Sequence, residues 1–253
     1  MTDYTNISAR ALLASLHISV WSAQKFDRGV SDEVTTAKHA AEGVARVNKH
    51  LFGTRRKART GAPLFAAVLG AADALRATHD RETLPWGRQA GERLLPSANY
   101  FHYTQVMRTA GAAFSSAADA FVAAYPALRH EAMTALGDLF DDQNFPAPRE
   151  VRRRYSYGVD YAPIPLGAGD FRVDLPADHL AQIEAALAAR LEDKTREAMR
   201  DAWHRLYDAV ARIAKAAAPE GIVRGTLITN AREVCDALAR LNVSQDEQLE
   251  ALR

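Results

Sequence analysis

The feature that most constrains this chain is a long run of apolar residues at helical spacing between His179 and Ala218. One α-helix of this length would extend about 60 Å, since each residue adds about 1.5 Å. Asp178 is expected to cap it, and Pro219 with Gly221 to end it. Its apolar seam consists of Leu180, Ile183, Leu187, Leu191, Met199, Trp203, Leu206, Val210, Ile213 and Ala217. Because such seams pack against other helices of the chain or against a second copy, we expect coiled-coil-like packing and an oligomer.

A second periodic segment, 99–125, has bulky residues at every seventh position and mostly alanine three positions later. The bulky residues are Tyr100, Met107, Phe114 and Phe121. Large residues beside small ones let two helices approach closely. Pro126 is expected to begin another helix, through Phe140, because proline is tolerated in a first turn. The two helices would then form an αα-hairpin.

The remaining segments alternate between predicted helices and short strands. Alternating apolar residues predict strands at 16–21, near 93–95, and at 155–161 and 171–175, the last two as a hairpin. Helices are predicted from Ser31, as N-cap, to about 51, over 64–77 and 223–241, and after Ser244. Alanine, the best helix former, supplies 50 of the 253 residues. The predicted fold is therefore mainly α with a small antiparallel β-sheet, in a single α-rich domain over 1–253 with a candidate subdivision at 141–148.

Composition limits the cellular setting. One cysteine, Cys235, excludes a disulfide framework and a cysteine-built zinc site. No run approaches about 18 apolar residues, so neither a transmembrane helix nor a membrane partner is expected. The N-terminal flank lacks a basic region, so no signal peptide is expected either. We therefore expect a cytoplasmic protein of a bacterial host cell.

Charge is distributed unevenly in a chain whose formal charge is only +1. Six basic residues and no acid lie between Glu42 and Asp73, and a second basic cluster runs directly into alternating tyrosines. Basic side chains bind phosphates and exposed rings stack on bases, so these residues predict a single-strand-type nucleic-acid surface. Its candidate residues are Lys49, Arg55, Arg56, Lys57, Arg59, Arg152, Arg153, Arg154, Tyr155 and Tyr157. The alternative is a solvated loop for the first cluster and core tyrosines for the second.

The strongest candidate for a metal site is a row of four polar residues along the long helix. These are Glu197, Asp201, His204 and Asp208, at i, i+4, i+7 and i+11. Each lies two residues before an apolar seam position, which places the row about 200° from the seam, on the solvent side. No metal site, cofactor or catalytic residue is therefore predicted. A metal-dependent enzyme stays as an alternative that no motif supports.

Three stretches of the sequence carry a resemblance: LHISVWSAQKFD at 16–27, TLPWGRQAGERLLPSANYFHY at 83–103 and GDFRVDL at 169–175. Together with 139–145 and AWHRLY at 202–207, the chain resembles an uncharacterised family of tailed phages and integrative conjugative elements. That family is encoded near MoxR-type AAA ATPases and von Willebrand A-domain proteins. The resemblance implies no catalytic residues, and it makes Trp21, Trp86, Arg93 and Tyr100 the positions to test.

The leading functional hypothesis is a non-enzymatic accessory or assembly protein of a phage or mobile element. It would act through a protein partner, either a second copy or an AAA ATPase. The alternatives are a nucleic-acid-binding protein of phage DNA metabolism or recombination, and the metal-dependent enzyme.

Overall fold

The computed structural model describes residues 7–53, 62–87, 92–164, 176–218 and 225–252. These residues form a mainly α-helical protein with one four-stranded and one two-stranded antiparallel sheet, as the sequence predicts. The helices are α1 (Ile7–Arg10), α2 (Arg28–Ala37), α3 (Pro63–Arg81), α4 (Tyr100–Leu136), α5 (Pro148–Arg153), α6 (Ala177–Ala216), α7 (Gly225–Leu241) and α8 (Glu247–Leu252). The strands are β1 (Ala11–Ser19), β2 (Gln24–Phe26), β3 (Asn48–His50), β4 (Leu84–Pro85), β5 (Glu92–Pro96) and β6 (Ser156–Ala162). None of the helices in these ranges is both long and apolar enough to cross a bilayer.

The chain divides into two compact units. Unit 1 comprises Met1–His17, Arg76–Arg108 and Gly158–Arg253, and unit 2 comprises Ile18–Leu75 and Thr109–Tyr157. The divisions fall within β1, α3, α4 and β6, and the turn-rich segment 141–148 lies inside unit 2.

Unit 1 is built on the larger sheet, whose strand order is β4-β5-β1-β6. Ala11 of β1 lies opposite Pro96 of β5, and Leu84 of β4 lies opposite Leu94. The short strand predicted near 93–95 is therefore confirmed. The sheet's apolar face joins one core with α6, α7 and α8, to which Leu94, Met199, Leu206, Leu238, Leu241 and Leu249 contribute. Cys235 packs against this core, half-buried.

Unit 2 has an aromatic interior centred on Phe121 of α4. Its ring centroid lies 5.5 Å from those of Phe52 and Phe65 and 6.0 Å from that of Tyr125. Trp21 closes the cluster at 6.0 Å from Phe52. The rings meet mostly edge-to-face or tilted, the arrangements that their quadrupoles favour.

The predicted αα-hairpin at Pro126 is wrong, because α4 continues through this proline as one helix of 37 residues. Tyr125 and Leu128 are buried on the same side as Phe121, so packing holds both flanks of the proline in helical conformation. Pro126 itself is exposed. The carbonyl of Val122, four residues before it, loses its helical donor but is only half-buried and can be hydrated.

The predicted helix from Ser31 to about 51 is also wrong at both ends. The N-cap is Asp27, whose Oδ1 accepts a hydrogen bond from the Val30 amide at 3.1 Å, and Ser31 lies inside α2. After Ala37 the chain turns at His39 and Gly43, whose φ angles are +51° and +78°. A helix cannot include left-handed residues, so the chain leaves α2 there and returns as β3.

The long helix is confirmed as α6, with 40 residues, although Pro176 rather than Asp178 occupies its N-cap. Only part of its predicted apolar seam is buried. Met199 and Leu206 are buried, whereas Val210 and Ile213 are exposed. The buried side of α6 consists of Thr195, Ala198, Met199, Ala202, Leu206 and Ala209.

The other predicted elements have mixed outcomes. α3 and α7 cover the predicted 64–77 and 223–241 within a few residues, and β6 confirms the strand at 155–161. The cap of α8 is Asp246, not Ser244, because its Oδ1 accepts from the Gln248 and Leu249 amides. The second strand of the predicted hairpin, 171–175, lies outside the described residues.

Candidate functional site

The basic residues that precede β6 in unit 2 have local partners. Arg152 donates through Nε to Asp119 Oδ1 at 2.5 Å and through Nη1 to the carbonyl of Tyr155 at 3.0 Å. The guanidinium of Arg154 lies over the ring of Trp21, 5.7 Å from its centroid. Arg153 is exposed. The structure thus brings Arg152, Arg153 and Arg154 together, but Arg152 and Arg154 already contact other groups of the protein.

The tyrosines of this segment differ in accessibility. Tyr155 is 3% exposed, and its ring lies 6.0 Å from Phe121 and 6.4 Å from Phe114. It is therefore a core residue whose ring does not face solvent, the alternative that the sequence left open. Tyr157 is 37% exposed and rests against Phe114 and against the backbone of Gly111, where a Cβ would collide with the tyrosine ring.

The other basic cluster is represented by Lys49, which has a structural role. Its ammonium group is 3.1 Å from Asp27 Oδ2 and donates to the carbonyl of Leu139 at 3.0 Å. This side chain ties β3 to the N-cap of α2 and to the turn after α4. Arg55, Arg56, Lys57 and Arg59 lie outside the described residues.

Unit 1 contains a buried polar network that sequence reasoning missed. Glu82, whose side chain is 3% exposed, lies 3.0 Å from Arg81 Nε, 3.5 Å from His102 Nε2 and 3.7 Å from Arg240 Nη2. Asn99 is fully buried beside it, donating to the Glu82 carbonyl at 2.7 Å and accepting from Arg240 Nε at 2.8 Å. One buried carboxylate is thus surrounded by three basic side chains, which offsets the cost of burying its charge.

Two further arginines close the C-terminal end of α3. Arg205 donates to the carbonyls of Arg81 and Asp80 at 2.7 and 3.0 Å, and to that of Thr83 at 2.8 Å. Arg93 donates to the Asp80 carbonyl at 3.2 Å and to the Thr83 hydroxyl at 2.7 Å, and burial lowers its pKa. The last carbonyls of a helix carry partial negative charge, so guanidinium groups stabilise this end. Arg93, singled out from the resemblance, is therefore a helix-capping residue here.

An uncovered apolar stripe lies on the last turns of α6 in unit 1. Tyr207 is 70% exposed, Val210 56% and Ile213 40%. Val210 and Ile213 continue the seam of Met199 and Leu206, which are buried, and Tyr207 lies beside them; Ile228 of the neighbouring α7 is exposed as well. We call Tyr207, Val210 and Ile213 the α6 stripe. Exposed aromatic and aliphatic side chains in one stripe are typical of protein contact sites.

The other residues that the resemblance marks for testing pack against neighbouring side chains. Trp21 and Trp86 are core residues of unit 2 and unit 1. Tyr100 contacts the rings of Phe101 and Tyr161 at 5.5 and 5.8 Å.

The polar row on α6 faces outward, as predicted. Glu197, His204 and Asp208 are exposed and Asp201 is half-buried, paired with Arg205 at 2.8 Å. Within the described ranges, no group of three or more His, Cys, Asp or Glu side chains is arranged to hold a metal ion.

Comparison with known proteins gives no match: no family model, curated protein or solved structure is similar to the chain. The contacts and exposures described above therefore carry the functional proposal.

Proposed function

We propose that the protein is an accessory or assembly factor of a phage or mobile element that works by binding another protein. The observation that supports this proposal is the α6 stripe, in which a helical apolar seam leaves the core of unit 1 and continues on its surface. Exposing the apolar surface of three neighbouring side chains of this size to water is unfavourable in free energy. A partner helix packed along them would remove that cost.

The partner is a second copy of the chain or an AAA ATPase. A second copy is suggested by the heptad spacing of the α6 seam, which is the spacing of helices that pair with helices. The ATPase is suggested by the sequence resemblance alone. Arg212 and Lys215 lie beside the stripe, with Asp208 as the nearby acid, so an acidic partner surface would complement it.

The test is a change of charge within the stripe. We expect the double substitution Val210→Glu and Ile213→Glu to abolish self-association in size-exclusion chromatography with light scattering, or copurification of an AAA ATPase from the native host. Both positions are exposed, so the variant should fold normally. Ala189→Glu, on an exposed position of the same helix, is the matched control and should bind as the unmodified chain does. The proposal is refuted if the unmodified protein is a monomer and copurifies with no partner.

Nucleic-acid binding is the second candidate function, supported by Arg153 and Tyr157, which are both exposed and only four residues apart. Together with Arg55, Arg56, Lys57 and Arg59 they would contact a single strand through phosphates and one stacked base. We expect salt-dependent binding to single-stranded oligonucleotides. Binding that persists after all four basic residues at 55–59 are changed to alanine would exclude that surface.

A further inference from the structure

Two buried hydroxyl groups in unit 2 have no hydrogen-bond partner among the described residues. They belong to Tyr125, which is 1% exposed, and Tyr155, which is 3% exposed. The Nε of Arg129, one helical turn after Tyr125 on α4, is also buried and unpaired. Buried donors of this kind are rare in folded proteins and are costly unless they bind a partner.

The three groups lie in one neighbourhood. Both tyrosine rings pack against Phe121, at 6.0 Å each, and Tyr125 also contacts Trp21 at 6.0 Å. The guanidinium of Arg154 lies over the ring of the same tryptophan. Burial raises the pKa of Tyr125 to about 12, and the positive charges of Arg129 and Arg154 partly oppose this shift. Burial raises the pKa of Tyr155 as well, so both groups are neutral donors at physiological pH.

The charge around these donors is positive. The charge of Arg154 acts on both tyrosines and that of Arg129 on Tyr125, and one acid, Asp142, is paired with Arg129 Nη2. The net charge of these three side chains is therefore +1. Two phenol hydroxyls and a guanidinium N–H offer donors, while the Asp142 carboxylate is already engaged. A donor-rich, positively charged site selects an acceptor-rich, negatively charged guest.

We propose that Tyr125, Tyr155, Arg129 and Arg154 form a binding site for a phosphate group. The hydroxyls and the Arg129 Nε would donate to its oxygens, and Arg154 would neutralise its charge from the surface. The site goes beyond the protein-binding function and does not depend on it. It assigns Tyr155 a hydroxyl contact with phosphate, whereas the sequence predicted a stacking contact through its ring.

The first experiment measures thermal unfolding and calorimetric binding of the full chain with inorganic phosphate, against sodium chloride at equal ionic strength. We expect phosphate to raise the Tm of the unmodified protein beyond the effect of chloride. In the double variant Tyr125→Phe, Tyr155→Phe, phosphate affinity should fall at least tenfold. This variant should fold with an unchanged or higher Tm in the absence of phosphate, because phenylalanine keeps the rings and removes two unpaired donors.

Two further variants control this result. Tyr161→Phe removes the hydroxyl of an exposed tyrosine in unit 1 and should leave phosphate binding unchanged. Arg154→Gln alters an exposed side chain, so it should fold normally and should weaken phosphate binding several-fold. An equal response of the unmodified protein and the double variant to phosphate, or no response in either, would overturn the proposal and leave buried water as the partner of the hydroxyls.

A single-stranded oligo(dT) distinguishes the sources of the phosphate. If oligo(dT) binds, competes with phosphate and is lost in the double variant, the phosphate belongs to nucleic acid. If phosphate binds and oligo(dT) does not, the site takes a free or small-molecule phosphate, and the nucleic-acid function fails while this site stands. Binding of oligo(dT) that the double variant retains would count against the site.

Discussion

In unit 1 the charged group of Glu82 is buried among Asn99 and three basic side chains, whereas unit 2 surrounds Phe121 with other rings. The first arrangement depends on direction, because each hydrogen bond needs a donor at one place. The second depends on volume, because ring contacts tolerate changes of angle but not of size. The two units should therefore respond in opposite ways to substitutions that keep shape and substitutions that keep polarity.

The largest effect is expected from removing volume in unit 2. Phe121→Ala deletes a fully buried ring that contacts Phe52, Phe65, Tyr125 and Tyr155. We expect the free energy of unfolding to fall by about 3–5 kcal/mol, as measured by urea denaturation. Phe101→Ala is the matched control on the same helix, since this ring is 84% exposed and its loss should change stability by less than about 0.5 kcal/mol.

A shape-preserving change should separate the units. Glu82→Gln keeps the volume but removes the negative charge that Arg240 and Arg81 face, and it presents an amide N–H₂ to them. We expect a loss of about 1.5–3 kcal/mol, because hydrogen bonds to charged groups contribute about this much. Hydrogen exchange should localise the loss to α3 and β5. If Glu82→Gln leaves the urea midpoint unchanged, the network does not stabilise unit 1 and the contrast between the units fails.

A smaller change in stability is expected at Gly111 of unit 2, where a side chain has no space. Alanine at Gly111 would favour helix α4 by about 1 kcal/mol, but its Cβ would collide with the ring of Tyr157. Gly111→Ala should therefore stabilise the Tyr157→Ala variant and fail to stabilise the unmodified protein. A double-mutant cycle should give a coupling energy of about 1 kcal/mol. Equal effects of Gly111→Ala in both backgrounds would mean that Tyr157 does not pack on α4.

Local periodicity predicted much of this fold. The 40-residue α6, the strand β5 and the fold class follow from spacing within single segments, where neighbouring residues decide the structure. The failures occur where distant residues decide. Pro126 stays helical because Tyr125 and Leu128 on either side are held in the aromatic core of unit 2.

The candidate sites show the same limit. Arg240 is 158 positions from Glu82 in the sequence, and Arg205 is 122 from Thr83, so no spacing rule could join them. The alternation around Tyr155 predicted a strand but could not say which face is buried. Phe114 and Phe121 cover Tyr155, but in the sequence they appear only as members of the heptad pattern of α4.

The smallest expected effect concerns pH and the N-cap of α2 in unit 2. The Val30 amide and the Lys49 ammonium, which both donate to the Asp27 carboxylate, hold its pKa below the usual 3.8. A carboxyl whose pKa is lower in the folded state stabilises the fold above its unfolded pKa, and this contribution is lost as the pH falls through the folded value. Asp27→Asn keeps a good N-cap but cannot titrate. We therefore expect the variant to unfold in urea with a shallower loss of stability below about pH 4, where Asp27 is protonated in the unfolded chain. Identical acid profiles for the two proteins would show that the Lys49 contact contributes no pH-dependent stability.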